Sequence, residues 1–200
     1  MYDVVVSRAD DHRVLRGIAY RQAGYFTATQ ARQAGFTHQA QKYHVDRGNW
    51  LRVDRALFRL PEWPATLDDV YVRWTLWSTG RGVISHATAL AVHDLGDIDP
   101  ARVHLTVPPG FRARDEAVVL HVGGLPDDDV VQRPGYHVTT IPRSILDLAA
   151  DGALQEAVDG VVRDALDRGV VTAGALRSRA DAFGEGAALR IERALAAADR

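Results

Sequence analysis

The sequence predicts an α+β protein with two domains, a small one at residues 1–62 and a larger one at residues 63–200. Three observations lead to this prediction. Apolar residues follow a helical period up to Gly48 and then change to the pattern of short strands. Pro61 and Pro64 interrupt the chain directly after that change. Beyond them, strand-like and helix-like segments are mixed, and the chain has helical patterns from residue 152 onward.

The first domain contains three predicted helices, each running from a capping residue towards a glycine. They extend from Asp10 or Asp11 to about Ala23, from Thr27 towards Gly35, and from Thr37 to about Arg47. Thr27 followed by Gln30 has the spacing of a capping box. Two short strands around Asp54-Arg55 come next. This order of helix, helix, tight turn, helix and hairpin predicts an N-terminal winged helix-turn-helix.

The second domain is predicted to be a mixed α/β C-terminal domain ending in helices. An aromatic helix opens it, with Val70, Tyr71, Trp74 and Trp77 on a core face. Ser85 is expected to cap the next helix. The remaining predicted elements are strands at 102–107, 117–122 and 136–140, a helix that begins at Pro142, and helices at 152–168 and 172–200 separated by Gly169.

The charge distribution favours a nucleic-acid-binding first domain. Residues 1–60 hold ten basic and five acidic side chains, a net charge of +5, whereas residues 61–200 have a net charge of −7. In a helix-turn-helix the last helix enters the major groove of DNA. Val45 and either Ala40 or Gln41 are expected to turn inward on that helix. The predicted DNA-binding residues are Thr37, His38, Gln39, Lys42, Tyr43 and Arg47 on the helix and Arg52 and Arg55 on the hairpin.

Protein-interaction winged helices also present a polar helix beside a surface hairpin. The sequence therefore leaves open a winged-helix interaction module that binds no DNA. An electrostatic surface that is positive across helix 38–47 and the hairpin would favour DNA.

Several chemical functions find no support in the residues. The chain has no cysteine, no Gly-x-Ser-x-Gly elbow and no phosphate-binding loop. Ser85 and His86 are neighbours in sequence and are not expected to face one another. Asp127-Asp128-Asp129 is interpreted as a solvated loop in preference to a divalent-cation site. We therefore predict no enzymatic activity and no cofactor.

The eight histidines show no zinc-helix spacing, and so no metal site is predicted. His104 and His121 are expected on neighbouring strands. No apolar run approaches the roughly 20 residues of a membrane span. The segment around Val4-Val5-Val6 lacks a basic leader and a cleavage site. A cytoplasmic location is expected.

Particular segments resemble a known family. Those of the first domain are GYFTATQARQAGFT at 24–37, RGNWLRV at 47–53 and ALFRL at 56–60. Those of the second are ISHATAL at 84–90, VHLTVP at 103–108 and TIPRSILDLA at 140–149. Together they resemble AbiEi-type antitoxins, the transcriptional regulators of type IV toxin–antitoxin systems.

The resemblance implies a function that spacing alone does not give. Such proteins bind repeats in their own operon's promoter and repress it, and they neutralise a nucleotidyltransferase-like toxin. By position, His38–Arg47 would be the recognition helix and Trp50–Leu60 the wing. The implied partners are double-stranded promoter DNA with repeats and the cognate toxin, with possible cooperative self-association on DNA.

Overall fold

A computed structural model describes residues 8–199, with only the backbone at Arg8. The chain is α+β and ends in helices, as predicted. It divides into two compact units. The first comprises the described residues up to Gly80 together with Pro134–Tyr136, and the second comprises Arg81–Arg133 and the residues from His137 onward. The segment around Val4–Val6, interpreted above as no signal peptide, lies outside the described residues.

The first unit combines four helices with a small antiparallel sheet. Its elements are α1 (Arg8–Tyr20), β1 (Tyr25–Thr27), α2 (Ala28–Gln33), α3 (His38–Asp46), β2 (Leu51–Asp54), β3 (Leu57–Arg59) and α4 (Asp69–Trp77). The strand order is β1-β3-β2, and β3 is antiparallel to both of its neighbours.

The capping predictions for α2 and α3 are confirmed. Thr27 and Gln30 form the full capping box of α2, and the Thr37 hydroxyl accepts the backbone N–H of Ala40 at the start of α3. The capping prediction for α1 is wrong. Asp10 and Asp11 lie inside α1, in its first turn. Acidic side chains there stabilise the helix by interacting with its dipole.

Helix α1 also ends earlier than predicted, at Tyr20 and not near Ala23. The strand β1 follows and has no counterpart among the predicted elements. Gly24 between them has φ +81°, and a Cβ there would lie 2.5 Å from Cβ of Trp63. A glycine is therefore needed at this turn for its conformation as well as for its small size.

An aromatic core holds the first unit together. Phe26, Phe36, Trp50 and Phe58 are buried with Leu15 from α1. The prediction for the core face of α4 is correct only in part. Val72, Trp74 and Thr75 are buried, whereas Val70 is exposed.

The remaining elements of the described residues are five strands, which form a mixed sheet, and five helices. The strands are β4 (Val83–Ile84), β5 (Val103–Val107), β6 (Val118–Val122), β7 (Val130–Arg133) and β8 (Tyr136–Thr139), in the order β6-β5-β4-β8-β7. The helices are α5 (His86–Val92), α6 (Ile141–Ala150), α7 (Gln155–Asp167), α8 (Ala173–Ala180) and α9 (Glu185–Ala198). Strand β4 pairs antiparallel with β5 and parallel with β8, and β5 pairs parallel with β6.

The core of the second unit lies among its helices. Leu146, Val161, Leu176 and Ile191, from α6, α7, α8 and α9, belong to one buried cluster. The prediction of one helix over 172–200 is wrong, because Gly184 with φ +97° separates α8 from α9. The short strands β4 and β7 were not predicted.

Asp127–Asp129 forms a 3-10 turn, and its last residue is buried. The interpretation of all three aspartates as a solvated loop is therefore wrong for Asp129. Within residues 8–199, no helix is both long enough and apolar enough to cross a membrane.

Candidate nucleic-acid interface

Helix α3 is anchored by a buried polar side chain. Gln41 is 4% exposed, and its Nε2 donates to the carbonyl oxygens of Ala28 at 3.1 Å and Phe36 at 3.0 Å. Ala40 and Val45 are half-buried against the core of the same unit. The prediction that Val45 and one of Ala40 and Gln41 face inward is therefore confirmed, and Gln41 is the more buried of the two alternatives.

The anchor fixes which side of α3 faces solvent. The residues predicted to bind DNA from this helix are all exposed; they are Thr37, His38, Gln39, Lys42, Tyr43 and Arg47. Three of them contact another side chain nearby in sequence. Lys42 Nζ lies 2.5 Å from Asp46 Oδ2, and the Arg47 guanidinium carbon lies 5.5 Å from the centroid of the Tyr43 ring.

The hairpin of β2 and β3 is tied to the beginning of α2. Ala56 in its turn has φ +62°, and its carbonyl oxygen accepts the Ala28 backbone N–H at 2.8 Å. Arg52 and Arg55 are both exposed. Within residues 9–199, no acidic side chain forms a salt bridge with either arginine. Their full charge is therefore available to a ligand.

Arg59 on the same hairpin has a different role. Its guanidinium contacts the carboxylate of Asp69 and lies 5.1 Å from the centroid of the Tyr25 ring. Both members of the ion pair are mostly buried. Arg59 therefore joins β3 to α4 and contributes little to the exposed positive surface.

A groove of about 430 Å³ separates α3 from the hairpin turn. It brings together four of the predicted residues, His38, Lys42, Arg52 and Arg55, over a floor of apolar residues that includes Phe58. Asp46 also lines it, so its formal charge with neutral histidine is +2. The other four predicted residues, Thr37, Gln39, Tyr43 and Arg47, do not line the groove.

His44 stabilises the inward side of α3. Its ring stacks on that of Trp50 at 4.7 Å between centroids, with an interplanar angle of 17°. Burial, with a smaller contribution from the charge of His12, lowers the pKa of His44. Sequence reasoning named Gln41 as an inward candidate but missed its two hydrogen bonds, and it missed the stacking of His44, because a polar residue at an inward helix position gives no distinct signal.

A substitution of Gln41 tests whether its two hydrogen bonds anchor α3. Replacing it by leucine is expected to lower the free energy of unfolding by about 1–3 kcal/mol, because two buried carbonyl oxygens would lose their donor. Urea unfolding measures the change. The control is Gln39→Leu, an exposed position on the same helix, for which we expect a change within about 0.5 kcal/mol. Equal effects of the two substitutions would contradict the anchor.

The expectation that Ser85 and His86 do not face one another is wrong. Ser85 Oγ lies 2.9 Å from His86 Nδ1. The nearest carboxylate oxygen, Oδ2 of Asp147, lies 4.0 Å from the same nitrogen, and Ser85 is fully buried. A catalytic serine and its orienting carboxylate must contact opposite nitrogens of the histidine. This arrangement is therefore not a nucleophilic triad.

Comparison with known proteins finds similarity in fold. The chain is similar to the crystal structure of the RV2827C protein from Mycobacterium tuberculosis, with a TM-score of 0.56 and 15% sequence identity. The match covers 94% of this chain and 81% of that chain. No protein-family model matches the sequence, and no curated protein matches it. At this identity the likeness shows the fold alone.

Proposed function

We propose that this protein is a DNA-binding transcriptional autorepressor and the antitoxin of a type IV toxin–antitoxin system, without enzymatic activity. In this proposal the first unit works as a winged helix-turn-helix. The observation that carries the DNA-binding part is the groove between α3 and the hairpin. It is lined by Arg52 and Arg55, which have no acidic partner among residues 9–199, and by Lys42 and His38.

The exposed face of α3 has the chemistry of base recognition. Glutamine can form two hydrogen bonds with the edge of adenine. Lysine and arginine can donate one or two hydrogen bonds to the edge of guanine. Gln39 and Lys42 are the side chains proposed to contact base edges from the major groove. Thr37 and His38 lie at the start of the helix, where backbone N–H groups and the helix dipole favour a phosphate.

The hairpin arginines are proposed to act on the DNA backbone or in the minor groove. Arginine donates to phosphate oxygens through a planar guanidinium that remains charged at any relevant pH. Because Asp46 neutralises part of the charge of Lys42, the hairpin supplies much of the attraction in this groove. Arg52 and Arg55 are thus proposed to contribute as much to the affinity for DNA as α3 does.

The test is a mobility-shift titration of the full chain on the promoter of its own operon. Arg52→Ala/Arg55→Ala is expected to weaken binding by about 10–100-fold, which is about 1.4–2.7 kcal/mol for the two contacts together, because solvent screens ion pairs of exposed side chains. The salt dependence should also fall. The slope of log K against log salt is expected to decrease by about 2, one unit for each phosphate contact.

A matched control is Arg163→Ala/Arg193→Ala, which removes the same charge from exposed positions of the second unit. We expect this control to bind DNA as the unchanged chain does. Tight binding by the hairpin variant, or no binding by the unchanged chain at low salt, would contradict the proposal.

The antitoxin part of the proposal comes from the sequence resemblance. Co-expression with a nucleotidyltransferase-like protein from the adjacent gene provides its test, with growth as the readout. We expect the chain to restore growth. The variant Arg52→Ala/Arg55→Ala should restore growth equally well, since it alters only the proposed DNA contacts. Continued growth arrest with the unchanged chain would remove the antitoxin part and leave a general transcriptional regulator.

One observation favours a second candidate, a protein-interaction module that binds no DNA. Asp46 lies in the groove and pairs with Lys42, and an acidic side chain repels phosphate. The same mobility-shift titration distinguishes the two functions. An interaction module would bind no promoter DNA at any salt concentration.

A further inference from the structure

Three histidines of the second unit meet although they are far apart in sequence. His86 begins α5, His104 lies on β5 and His121 lies on β6. The rings of His86 and His121 are stacked, with 3.4 Å between centroids and an interplanar angle of 14°. Nδ1 of His104 lies 3.0 Å from Nε2 of His121.

The sheet register explains how two of them meet. Strands β5 and β6 are parallel neighbours, and His104 is paired with Val119 while Thr106 is paired with His121. Residues two positions apart on a strand share a face, so His104 and His121 are diagonal neighbours on the same face. This confirms the prediction that they lie on neighbouring strands. Helix α5 is fixed to β5 by Thr88, whose hydroxyl accepts the backbone N–H of His104 at 2.9 Å.

Two aspartates from the end of α6 complete the cluster. Asp151 Oδ1 lies 3.9 Å from His121 Nδ1, and Asp147 Oδ2 lies 4.0 Å from His86 Nδ1. Asp147 is 4% exposed, and its Oδ2 is buried without a hydrogen-bond partner among the described residues. One possible ligand atom from each of His86, His121 and Asp151 lies within 4.8 Å of the other two.

The backbone at His86 is also unusual. Its φ is +53°, a backbone conformation that residues other than glycine rarely adopt. Such conformations persist where the surrounding structure over-determines them, and they are concentrated at functional sites. Here the conformation holds an imidazole against His121 at the start of a helix.

Burial disfavours the charged form of all three histidines. Burial lowers the pKa of His86 to about 2, with smaller contributions from His121, His104 and Arg143. Burial likewise lowers the pKa of His104 and of His121, and the charge of Asp151 opposes it in both cases. Burial raises the pKa of Asp147 to about 6 against the charge of Arg143.

We propose that His86, His121 and Asp151 form a binding site for a first-row divalent cation such as Zn²⁺, and that His104 orients His121. Two imidazole nitrogens and one carboxylate oxygen are ligands that zinc accepts, whereas magnesium and calcium prefer oxygen alone. This site goes beyond the proposed DNA-binding function. It also goes beyond the sequence, whose histidine spacing predicts no metal site.

The proposed ligation requires one tautomer of each ring. His121 ligates through Nδ1, beside Asp151, so its Nε2 would carry the proton in the 3.0 Å contact with His104 Nδ1. His86 ligates through Nε2, so its Nδ1 would carry the proton in the 2.9 Å contact with Ser85 Oγ. Ligating histidines usually donate their second N–H in this way, and the donation fixes the tautomer.

Metal binding requires one local movement. A nitrogen lone pair lies in the plane of its ring, so the two stacked rings must tilt towards a shared ion. Asp151 is half-exposed and gives solvent access to the cluster. Three protein ligands with an open fourth position are typical of zinc sites that hold a water or an exogenous ligand.

The experiment is a calorimetric titration of the chelator-treated full chain with Zn²⁺ alone. We expect one ion per chain. Asp151→Asn and His121→Gln should each weaken binding by at least about 100-fold, and His104→Gln by about 10–100-fold, the usual range for a residue that orients a ligand. Titration of the unchanged chain with Co²⁺ should give the visible absorption bands of a tetrahedral site.

The matched control is His137→Gln, a half-buried strand histidine outside the cluster, for which we expect unchanged affinity. Asp151→Asn decides the result if His121→Gln does not fold, because Asp151 is half-exposed. The proposal is overturned if the unchanged chain binds no Zn²⁺ at millimolar concentration. It is also overturned if the folded Asp151→Asn variant binds Zn²⁺ as tightly as the unchanged chain does. Since neither DNA nor toxin is present, failure here leaves the proposed function unaffected.

Discussion

Replacing Trp50 by alanine is expected to lower the free energy of unfolding of the first unit by about 3–5 kcal/mol. Trp50 is 3% exposed, and its ring lies 4.8 Å from that of Phe26 and 5.1 Å from that of Phe36, measured between centroids. It also supports His44 by stacking. The substitution removes apolar area and leaves a cavity that a rigid aromatic cluster fills poorly. Urea unfolding followed by circular dichroism measures the loss.

Tyr43→Ala is the matched control, because Tyr43 is an aromatic residue of α3 that is 54% exposed. We expect its effect on unfolding to lie within about 0.5 kcal/mol. Trp50 lies between α3 and β2, so its loss should also weaken the proposed DNA binding by loosening both sides of the groove. A stability change below about 1 kcal/mol for Trp50→Ala would show that the aromatic cluster repacks without it.

The second large effect is expected when Asp129 is replaced by asparagine. This substitution should lower the free energy of unfolding of the second unit by about 3 kcal/mol. The carboxylate is 5% exposed and accepts from Arg179 Nη2 at 2.6 Å and from Arg143 Nη1 at 3.3 Å. Removal of its charge leaves two guanidinium groups without a shared counterion. The figure is the lower end for a broken buried pair, because Arg179 is about one-third exposed and solvent screens it.

Asp128→Asn is the control for this experiment, since Asp128 is the exposed neighbour in the same 3-10 turn. Its expected effect is within about 0.5 kcal/mol. Thermal or urea unfolding of the two variants gives the comparison. Similar stabilities of the two would mean that Arg143 is satisfied by Asp147 alone, with which it forms a 2.8 Å ion pair.

Local signals predicted the elements around the groove. The starts of α2 and α3 are fixed by Thr27, Gln30 and Thr37 through contacts with residues three positions away. The local sequence is therefore sufficient to predict these helix starts. The hairpin was predicted for the same reason. The candidate DNA-binding residues of α3 are exposed because the helical period separates its outward positions from the inward ones. Arg52 and Arg55 are exposed on the hairpin.

Other elements depend on partners that are distant in sequence. Strands β1 and β4 have three and two residues, too few for an alternating pattern, and they exist because longer-range strand pairing satisfies their backbone groups. Asp129 is buried only because Arg143 and Arg179 reach it from α6 and α8. No pattern near Asp129 distinguishes it from its exposed neighbours.

The sequence alone determined the α+β class, the helical end of the chain, the caps of α2 and α3 and the hairpin beside them. Each of these follows from contacts between residues close in the chain. Tertiary structure decided which basic residues share a groove, how Gln41 anchors α3, and that His86, His104 and His121 meet near Asp151. The physical reason is that strand register and helix packing bring together residues far apart in sequence, such as His86 and Asp151, which are 65 positions apart. The local spacing of residues does not reveal such contacts.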